Sequence, residues 1–183
     1  MILSANMLSL LSAQYAREVQ NSLAYASMQS WAEMRGLDGT AAFFAKQSEG
    51  ESGHANMVLA YIHARNEQLA TGLPISWPTE FPASFVGQFL LAQAIERATT
   101  DAIYAIKAQA EAEGDYATCA WLARPDGLIL EQVEEENVIQ TVLDRITARR
   151  GLVTLDQEDG GTAMAEMPGE VIHDIDAWLK ARA

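Results

Sequence analysis

EGESGHA, residues 49–55, carries the strongest chemical constraint in the chain, because it sets Glu51 and His54 three residues apart inside a long helical pattern. Residues at this separation lie on one face of an α-helix, about one turn apart. A carboxylate oxygen and an imidazole nitrogen can therefore converge on one point, which is the spacing of metal ligands. A glutamate and a histidine on a solvated helix face would show the same spacing, so the motif needs support from the rest of the chain.

Long helical patterns account for most of the sequence. Apolar residues recur every three or four positions, which is typical of helices that bury one face. These patterns cover approximately residues 6–34, 40–65, 84–113, 115–150 and 168–180. Pro125 falls inside the fourth pattern, and we expect a break near it because proline removes an intrahelical hydrogen bond. At the start of the second pattern we expect Asp38 or Thr40 to cap the helix.

Residues 66–82 form a long connection, because they contain three of the five prolines and few helix signals. Seventeen extended residues span up to roughly 55 Å, whereas a helix of 26 residues is roughly 39 Å long. The connection can therefore run the length of the bundle and make the second and third helices parallel. We predict a single all-α domain over residues 1–183, a four-helix bundle with a long crossover between helices 2 and 3 and a short fifth C-terminal helix.

Composition limits the partners of the chain. The net charge is −13 and the pI is near 4.5, which argues against nucleic acid and anionic membranes and favours the approach of cations. A single cysteine, Cys119, excludes an intrachain disulfide and any cysteine-based metal site within one chain. The N-terminus has no basic segment before its apolar residues and no apolar run of spanning length. We therefore expect a cytoplasmic protein with no membrane segment.

Acidic and polar residues occupy positions that should face the core of the bundle. In an antiparallel hairpin, residues at one height are symmetric about the turn. Glu18 and His54 are symmetric about Gly36, and Glu96 and Gln132 about Gly114, so both pairs should lie near the middle of their hairpins. The set of candidate ligands is Glu18, Glu51, His54, Glu96, Gln132 and Glu135.

Carboxylates buried together without positive partners repel one another, and a divalent or trivalent cation removes that cost. Oxygen ligands with one imidazole suit iron or manganese better than a structural zinc site or calcium. A glutamate from each of two helices, with residues three apart on the other two, is the pattern of di-metal carboxylate bundles. The alternative is that EQVEEEN, residues 131–137, is a solvated acidic surface, although apolar residues flank it on both sides.

The sequence resembles the ferritins, most closely the bacterial non-haem type, in all four main helices. The matching segments are REVQNSLAY (17–25), EGESGHA (49–55), IE (95–96) and EQVEEENVIQTVLDRI (131–146). The resemblance implies a first iron site of Glu18, Glu51 and His54, with Glu51 bridging to a second site of Glu96 and Glu135. Gln132 falls at the family's glutamine beside this centre. Tyr25 falls at the family's tyrosine, where it supplies an electron or a hydrogen bond, unless it is only a core aromatic.

Two comparisons within the family refine these expectations. Bacterioferritins carry a haem methionine next to the bridging glutamate, but Ser52 stands there, so we expect no haem and interpret Met57 as a core residue. Many bacterial ferritins have a further glutamate just before the bridging one, which helps to hold a third iron. Gly50 occupies that position, so a third site that includes Glu131 and Glu134 is in doubt.

The resemblance implies a ferroxidase and iron store. Fe²⁺ would be oxidised at the di-iron centre by O₂ or hydrogen peroxide, and ferric mineral would collect inside a homo-oligomeric shell of twenty-four subunits. A di-iron or di-manganese redox enzyme that stores no metal is an alternative with the same architecture. A helical bundle without any metal is a third alternative.

Overall fold

Helices form the whole of the regular structure in the part of the chain that the computed structural model describes, namely residues 2–75, 81–150 and 167–182. They are α1 (Ala5–Glu33), α2 (Asp38–Ala64), α3 (Phe85–Glu113), α4 (Tyr116–Leu122), α5 (Leu128–Arg150) and α6 (Gly169–Lys180). Both ends of α1, α2, α3 and α6 agree with the expected patterns within two residues, and the predicted fourth helix consists of α4 and α5. The all-α class predicted from the sequence is confirmed.

Contacts between the helices give their directions. Ser22 on α1 bonds to Ser48 on α2, and Asn21, one residue earlier on α1, lies 3.5 Å from Glu51, three residues later on α2. Contacts that move in opposite directions along the two helices make them an antiparallel hairpin about the turn at Gly36.

On the other hairpin, Gln93 on α3 bonds to Gln140 on α5, and Thr100, seven residues later, bonds to Glu136, four residues earlier. The hairpins α1–α2 and α3–α5 are therefore both antiparallel.

The second and third helices run parallel, as the length of the connection predicted. The rings of Phe44 and Phe89 pack with their centroids 5.1 Å apart. Seven residues further along each helix, Glu51 and Glu96 again lie close together. A constant offset between the two sequences is possible only when both helices point the same way, so the crossover returns the chain to the other end of the bundle.

The break between α4 and α5 depends on proline and glycine together. Pro125 cannot continue the hydrogen-bond ladder of α4. The chain then turns so tightly that a Cβ atom on Gly127 would lie 2.6 Å from the carbonyl oxygen of Leu122 and 2.9 Å from that of Arg124. Only glycine fits there, and α5 starts at the next residue, Leu128.

The α6 helix caps the N-terminus of α2. The residue at the N-cap position of α2 is Leu37, whose side chain offers no hydrogen bond, so the expectation that Asp38 or Thr40 caps this helix was wrong. Instead, the Asp176 carboxylate accepts hydrogen bonds from the backbone N–H and the hydroxyl of Thr40, both at 2.7 Å. One of the free N–H groups at the start of α2 is thereby satisfied by another helix, whose carboxylate also lies at the positive end of the α2 dipole.

A buried ion pair closes the opposite end of the bundle. The guanidinium of Arg65, just after α2, makes two parallel hydrogen bonds to Asp115 at 3.1 and 3.0 Å. Asp115 also caps α4 by accepting from the backbone N–H of Thr118 at 3.2 Å. The pair ties the end of α2 to the corner between α3 and α4.

Two apolar clusters fill the bundle, one toward each end. The first contains the rings of Tyr25, Phe43, Phe44, Phe85 and Phe89 together with residues of α5 and α6. The second contains Met7, Leu11, Val58, Ile103 and Leu122 among others. On α1, α2 and α3, most buried polar residues, among them Glu18, Glu51 and Glu96, fall between these clusters in sequence. They form a polar layer with hydrophobic packing above and below. Within the described ranges, no helix has the length and hydropathy needed to cross a membrane.

Candidate metal centre

Two groups of side chains with metal-ligand geometry lie in the polar layer. The first group is Glu18, Glu51 and His54, and the second group is Glu51, Glu96 and Glu135. In each group, one ligand atom per residue lies within 4.8 Å of the corresponding atoms of the others. Glu51 belongs to both groups, so they form one centre with a shared carboxylate.

Each helix of the bundle contributes to this centre. Glu18 comes from α1, Glu96 from α3 and Glu135 from α5. The pair on α2 has the geometry that its spacing predicts, because Nδ1 of His54 lies 3.6 Å from Oε2 of Glu51. The structure thus brings together five residues that the sequence nominated as ligands.

The carboxylates of the centre are almost completely shielded from solvent. Glu18 and Glu96 are 0% exposed and Glu51 is 1% exposed, whereas Glu135 is partly buried. No lysine or arginine of the described residues lies within ion-pair distance of any of them. Apart from His54, which lies 3.6 Å from Glu51, neither solvent nor a basic side chain of the described residues is placed to compensate their charge.

This burial changes the protonation of the carboxylates. Removal from water raises the pKa of Glu51 to about 8 and that of Glu135 to about 9, and like charges nearby, chiefly that of Glu96, add to both effects. Burial also raises the pKa of Glu18 well above its usual range. A cation between these groups would restore the charged forms, because it replaces the lost solvation with direct attraction.

Neutral amides hold three of the carboxylates. Gln14 donates to Oε1 of Glu18 at 2.6 Å, and Gln132 donates to Oε2 of Glu96 at 2.8 Å. The amide nitrogen of Asn21 lies 3.5 Å from Oε1 of Glu51 and donates to the Thr99 hydroxyl at 3.0 Å. Amide donors orient a carboxylate without neutralising its charge, which leaves that charge available to a metal ion.

Three buried carboxylate oxygens lack any hydrogen-bond donor from the described residues. They are the Oε2 atoms of Glu18, Glu51 and Glu135, which come from three different helices. A buried oxygen of this kind is costly unless it is bound by something else. Hard oxygen atoms with one imidazole nitrogen form a donor set that suits iron, so the residues present fit a pair of iron ions.

Tyr25 touches the centre directly. Its hydroxyl donates to Oε1 of Glu96, and its ring packs on Phe44 with centroids 6.1 Å apart. The side chain is fully buried, and burial together with the neighbouring Glu96 raises its pKa well above the usual range. Both interpretations of Tyr25 are consistent with this position, since it is a core aromatic that also bonds to a ligand of the second group.

A groove at the surface borders the centre. It lies between α3 and α5 and has a volume of about 630 Å³. Buried Glu96 and Gln132 lie on its wall together with the half-exposed Tyr104 and Val133. Of the two groups, the groove thus borders the second, through Glu96.

The residues expected around a third metal do not belong to the two groups. Glu131 is partly buried and Glu134 is exposed, and neither belongs to the two groups. A Cβ atom on Gly50 would lie 3.8 Å from Oε1 of Glu135, so this position borders the second group but offers no side-chain ligand. Ser52 is exposed and bonds to the Ser22 hydroxyl at 2.9 Å.

Reasoning from the sequence missed Gln14 and Asn21. Both lie on the same face of α1 as Glu18, four residues before it and three residues after it, so helical spacing contained the signal. Their amide side chains were not singled out because glutamine and asparagine are common on solvated helix faces. Their burial, at 2% and 8% exposure, separates them from that background.

Comparison with known proteins places the chain in one family. Residues 8–149 match the family described as Ferritin-like domain. Relatives named bacterial non-heme ferritin include one from Staphylococcus epidermidis, 30% identical over 146 residues, which cover 80% of this chain and 86% of the relative. Another, from Bacteroides fragilis, is 30% identical over 149 residues, covering 79% and 89%.

A solved structure extends the similarity to the whole fold. It is described as a novel open pore ferritin from the archaeon Archaeoglobus fulgidus, and it superposes with a TM-score of 0.81 at 22% sequence identity. The alignment covers 99% of both chains. At this identity the likeness concerns the fold.

Proposed function

Since this chain belongs to the ferritin family, we propose that it stores iron and oxidises Fe²⁺ to Fe³⁺ at the centre shared by Glu51. The observation that carries the proposal is the overlap of the two groups in one buried carboxylate. A carboxylate with two oxygens can serve one ion on each side, which keeps two Fe²⁺ substrate ions close together.

The ligand set favours oxidation of the bound substrate. Anionic oxygen ligands stabilise Fe³⁺ more than Fe²⁺ because the added positive charge meets hard, negatively charged donors. Two Fe²⁺ ions lose one electron each, and one O₂ molecule accepts both electrons with two protons to give hydrogen peroxide. With hydrogen peroxide as the oxidant, the same two electrons and two protons give two water molecules.

The surrounding residues have separate roles in this proposal. Glu18 and His54 hold the ion of the first group, while Glu96 and Glu135 hold that of the second. Gln132 fixes Glu96 through its amide, and Tyr25 holds the other oxygen of Glu96. Glu131 and Glu134 lie outside the two groups. Because position 50 is a glycine, a further iron site at these two residues would need its remaining ligands from elsewhere.

Storage requires an assembly that encloses the oxidised product. Family membership supports a homo-oligomeric shell of twenty-four chains in the cytoplasm, with ferric mineral inside. The net charge of −13 per chain would attract Fe²⁺ to such a shell. Ser52 supplies no thioether at the position of the haem methionine of bacterioferritins, which supports a centre that works without haem.

The test compares two glutamates on α2. Glu51→Ala should abolish rapid Fe²⁺-dependent O₂ consumption and reduce anaerobic Fe²⁺ binding from two ions per chain, because both groups lose a ligand. Glu49→Ala is the matched control, since Glu49 is exposed two residues away on the same helix. Unchanged initial rates in Glu51→Ala, with the shell intact, would refute the assignment.

A further inference from the structure

Gln14 is a buried side chain whose contact with the centre calls for an explanation. It lies on α1 one turn before Glu18 and is 2% exposed. Its amide nitrogen donates to Oε1 of Glu18 over 2.6 Å, a short bond between two shielded groups. The other oxygen of Glu18, Oε2, meets no donor from the described residues.

Stability does not account for a glutamine at this position. The amide oxygen of Gln14 is itself buried without a donor from the described residues. A buried polar group that stays unpaired destabilises the folded state, whereas an apolar side chain of the same length leaves nothing unpaired. Methionine has nearly the same length and shape as glutamine, so it should fill the space at least as well.

The hydrogen bond has a directional effect on Glu18. The side chain of Glu18 is flexible, so its carboxylate could turn either oxygen toward Glu51 and His54. Because Gln14 binds Oε1, the carboxylate is held with Oε2 as the oxygen left for another partner. Since the donor is a neutral amide, it adds no positive charge that would compete with a cation for Glu18.

We propose that Gln14 is a positioning residue that holds Glu18 in the orientation required to bind Fe²⁺ in the first group. The inference rests on the proposed function of the centre and adds a residue to it. Hydrogen-bond partners of metal ligands typically change metal affinity by about 10- to 100-fold when they are removed. Loss of the Gln14 amide should therefore weaken the first group by a factor in that range.

The experiment measures binding of Co²⁺, which is stable in air and whose d–d absorption reports its ligand geometry. A Glu135→Ala background removes one ligand of the second group, so the first group is the site that is titrated. In this background, Gln14→Met should bind Co²⁺ about 10- to 100-fold more weakly than the parent and with an altered absorption spectrum. Its metal-free melting temperature should be equal to or higher than that of the parent.

Gln29→Met is the matched control. Gln29 lies on the same helix and donates to Glu33, also four residues on, at 2.8 Å, but at the surface. The substitution removes the same kind of bond far from the centre, so Co²⁺ affinity should not change. Gln14→Asn is a second test, because it keeps the amide but is one methylene too short to reach Glu18, and it should weaken Co²⁺ binding as Gln14→Met does.

The outcomes separate this inference from the proposed function. If Gln14→Met and Gln14→Asn bind Co²⁺ as tightly as the parent, the positioning role is wrong, whatever the centre does. A lower melting temperature with unchanged Co²⁺ affinity and spectrum would show a purely structural role and would also overturn it. If instead the unmodified protein binds Fe²⁺ but does not oxidise it, the proposed function fails, while weaker Co²⁺ binding in the two variants still supports the role of Gln14.

Discussion

At the scale of single residues, the buried carboxylates make the metal-free protein sensitive to pH. The pKa of Glu51 is about 8 and that of Glu135 about 9, well above the ordinary value of 4.5. At a pH between the ordinary value and these raised values, the folded state holds protons that the unfolded chain has released. The free energy of unfolding should therefore decrease as the pH rises from 6 to 9, by up to about 1.4 kcal/mol per pH unit for each proton held.

This pH dependence can be measured by thermal unfolding in the presence of a chelator. The melting temperature of the metal-free protein should fall from pH 6 to pH 9, and a Glu51→Gln, Glu135→Gln double variant should show a shallower fall, because its amides do not titrate. Glu49→Gln, which changes an exposed side chain, should retain the steep dependence. Equal slopes in the native protein and the double variant would mean that these carboxylates are not the cause.

The candidate ligands of the centre could be nominated from sequence because of two kinds of regularity. Helical spacing placed Glu51 with His54, and hairpin symmetry placed Glu18 and Glu96 at the level of their partners. The amide donors Gln14 and Asn21 could not be separated from surface residues in this way, since spacing gives the face of a helix but not its burial. The same limit applies to Glu134, whose sequence context resembles that of Glu135 although its side chain is exposed.

At the scale of helices, the junction of α6 with α2 depends on the absence of a side chain at Gly39. A Cβ atom there would collide with the carbonyl oxygen of Asp176 and lie 2.6 Å from the backbone nitrogen of Lys180. Both obstacles belong to backbone, which cannot rotate away. Gly39→Ala should therefore displace α6 and remove the Asp176 cap from Thr40, lowering stability by about 1–3 kcal/mol.

A matched glycine-to-alanine substitution on the same helix should raise stability instead of lowering it. Gly53 has no heavy atom within 4 Å of the position a Cβ would take, so alanine there adds helix propensity without a clash. Gly53→Ala should be more stable by about 0.5–1 kcal/mol. Chemical denaturation of the two variants would compare them directly. If Gly39→Ala is also more stable, the close approach of the two helices is wrong.

Helix order and direction followed from the sequence, whereas the cap of α2 did not. The bundle was predictable because its signals are local: apolar periodicity, the glycine turns and a connection long enough to cross the bundle. Pro125 likewise marked the break before α5. Asp176 and Thr40, however, are 136 residues apart, and no periodicity links them. The nearby polar residues Asp38 and Thr40 suggested a local cap that another helix supplies instead.

At the scale of the whole molecule, the layered core explains how a destabilising centre is tolerated. The polar layer has an apolar cluster on each side, with the ring stack around Phe44 in one and the contacts of Leu11 and Ile103 in the other. The helices are fixed by packing on both sides of the carboxylates, so mutual repulsion at the centre cannot readily separate them. The ligands are thus held in place before a cation binds, which reduces the reorganisation that binding requires.

The size of the assembly decides between an iron store and a di-iron enzyme that retains no mineral. Twenty-four chains of 19.9 kDa give a particle of roughly 480 kDa. After aerobic Fe²⁺ loading, we expect iron to co-sediment with this particle at far more than two ions per chain. Glu51→Ala should sediment at the same size before loading, because its substitution lies inside one bundle, and should accumulate iron more slowly. A small oligomer that keeps at most two ions per chain would exclude storage and leave the alternative of a redox enzyme with the same centre.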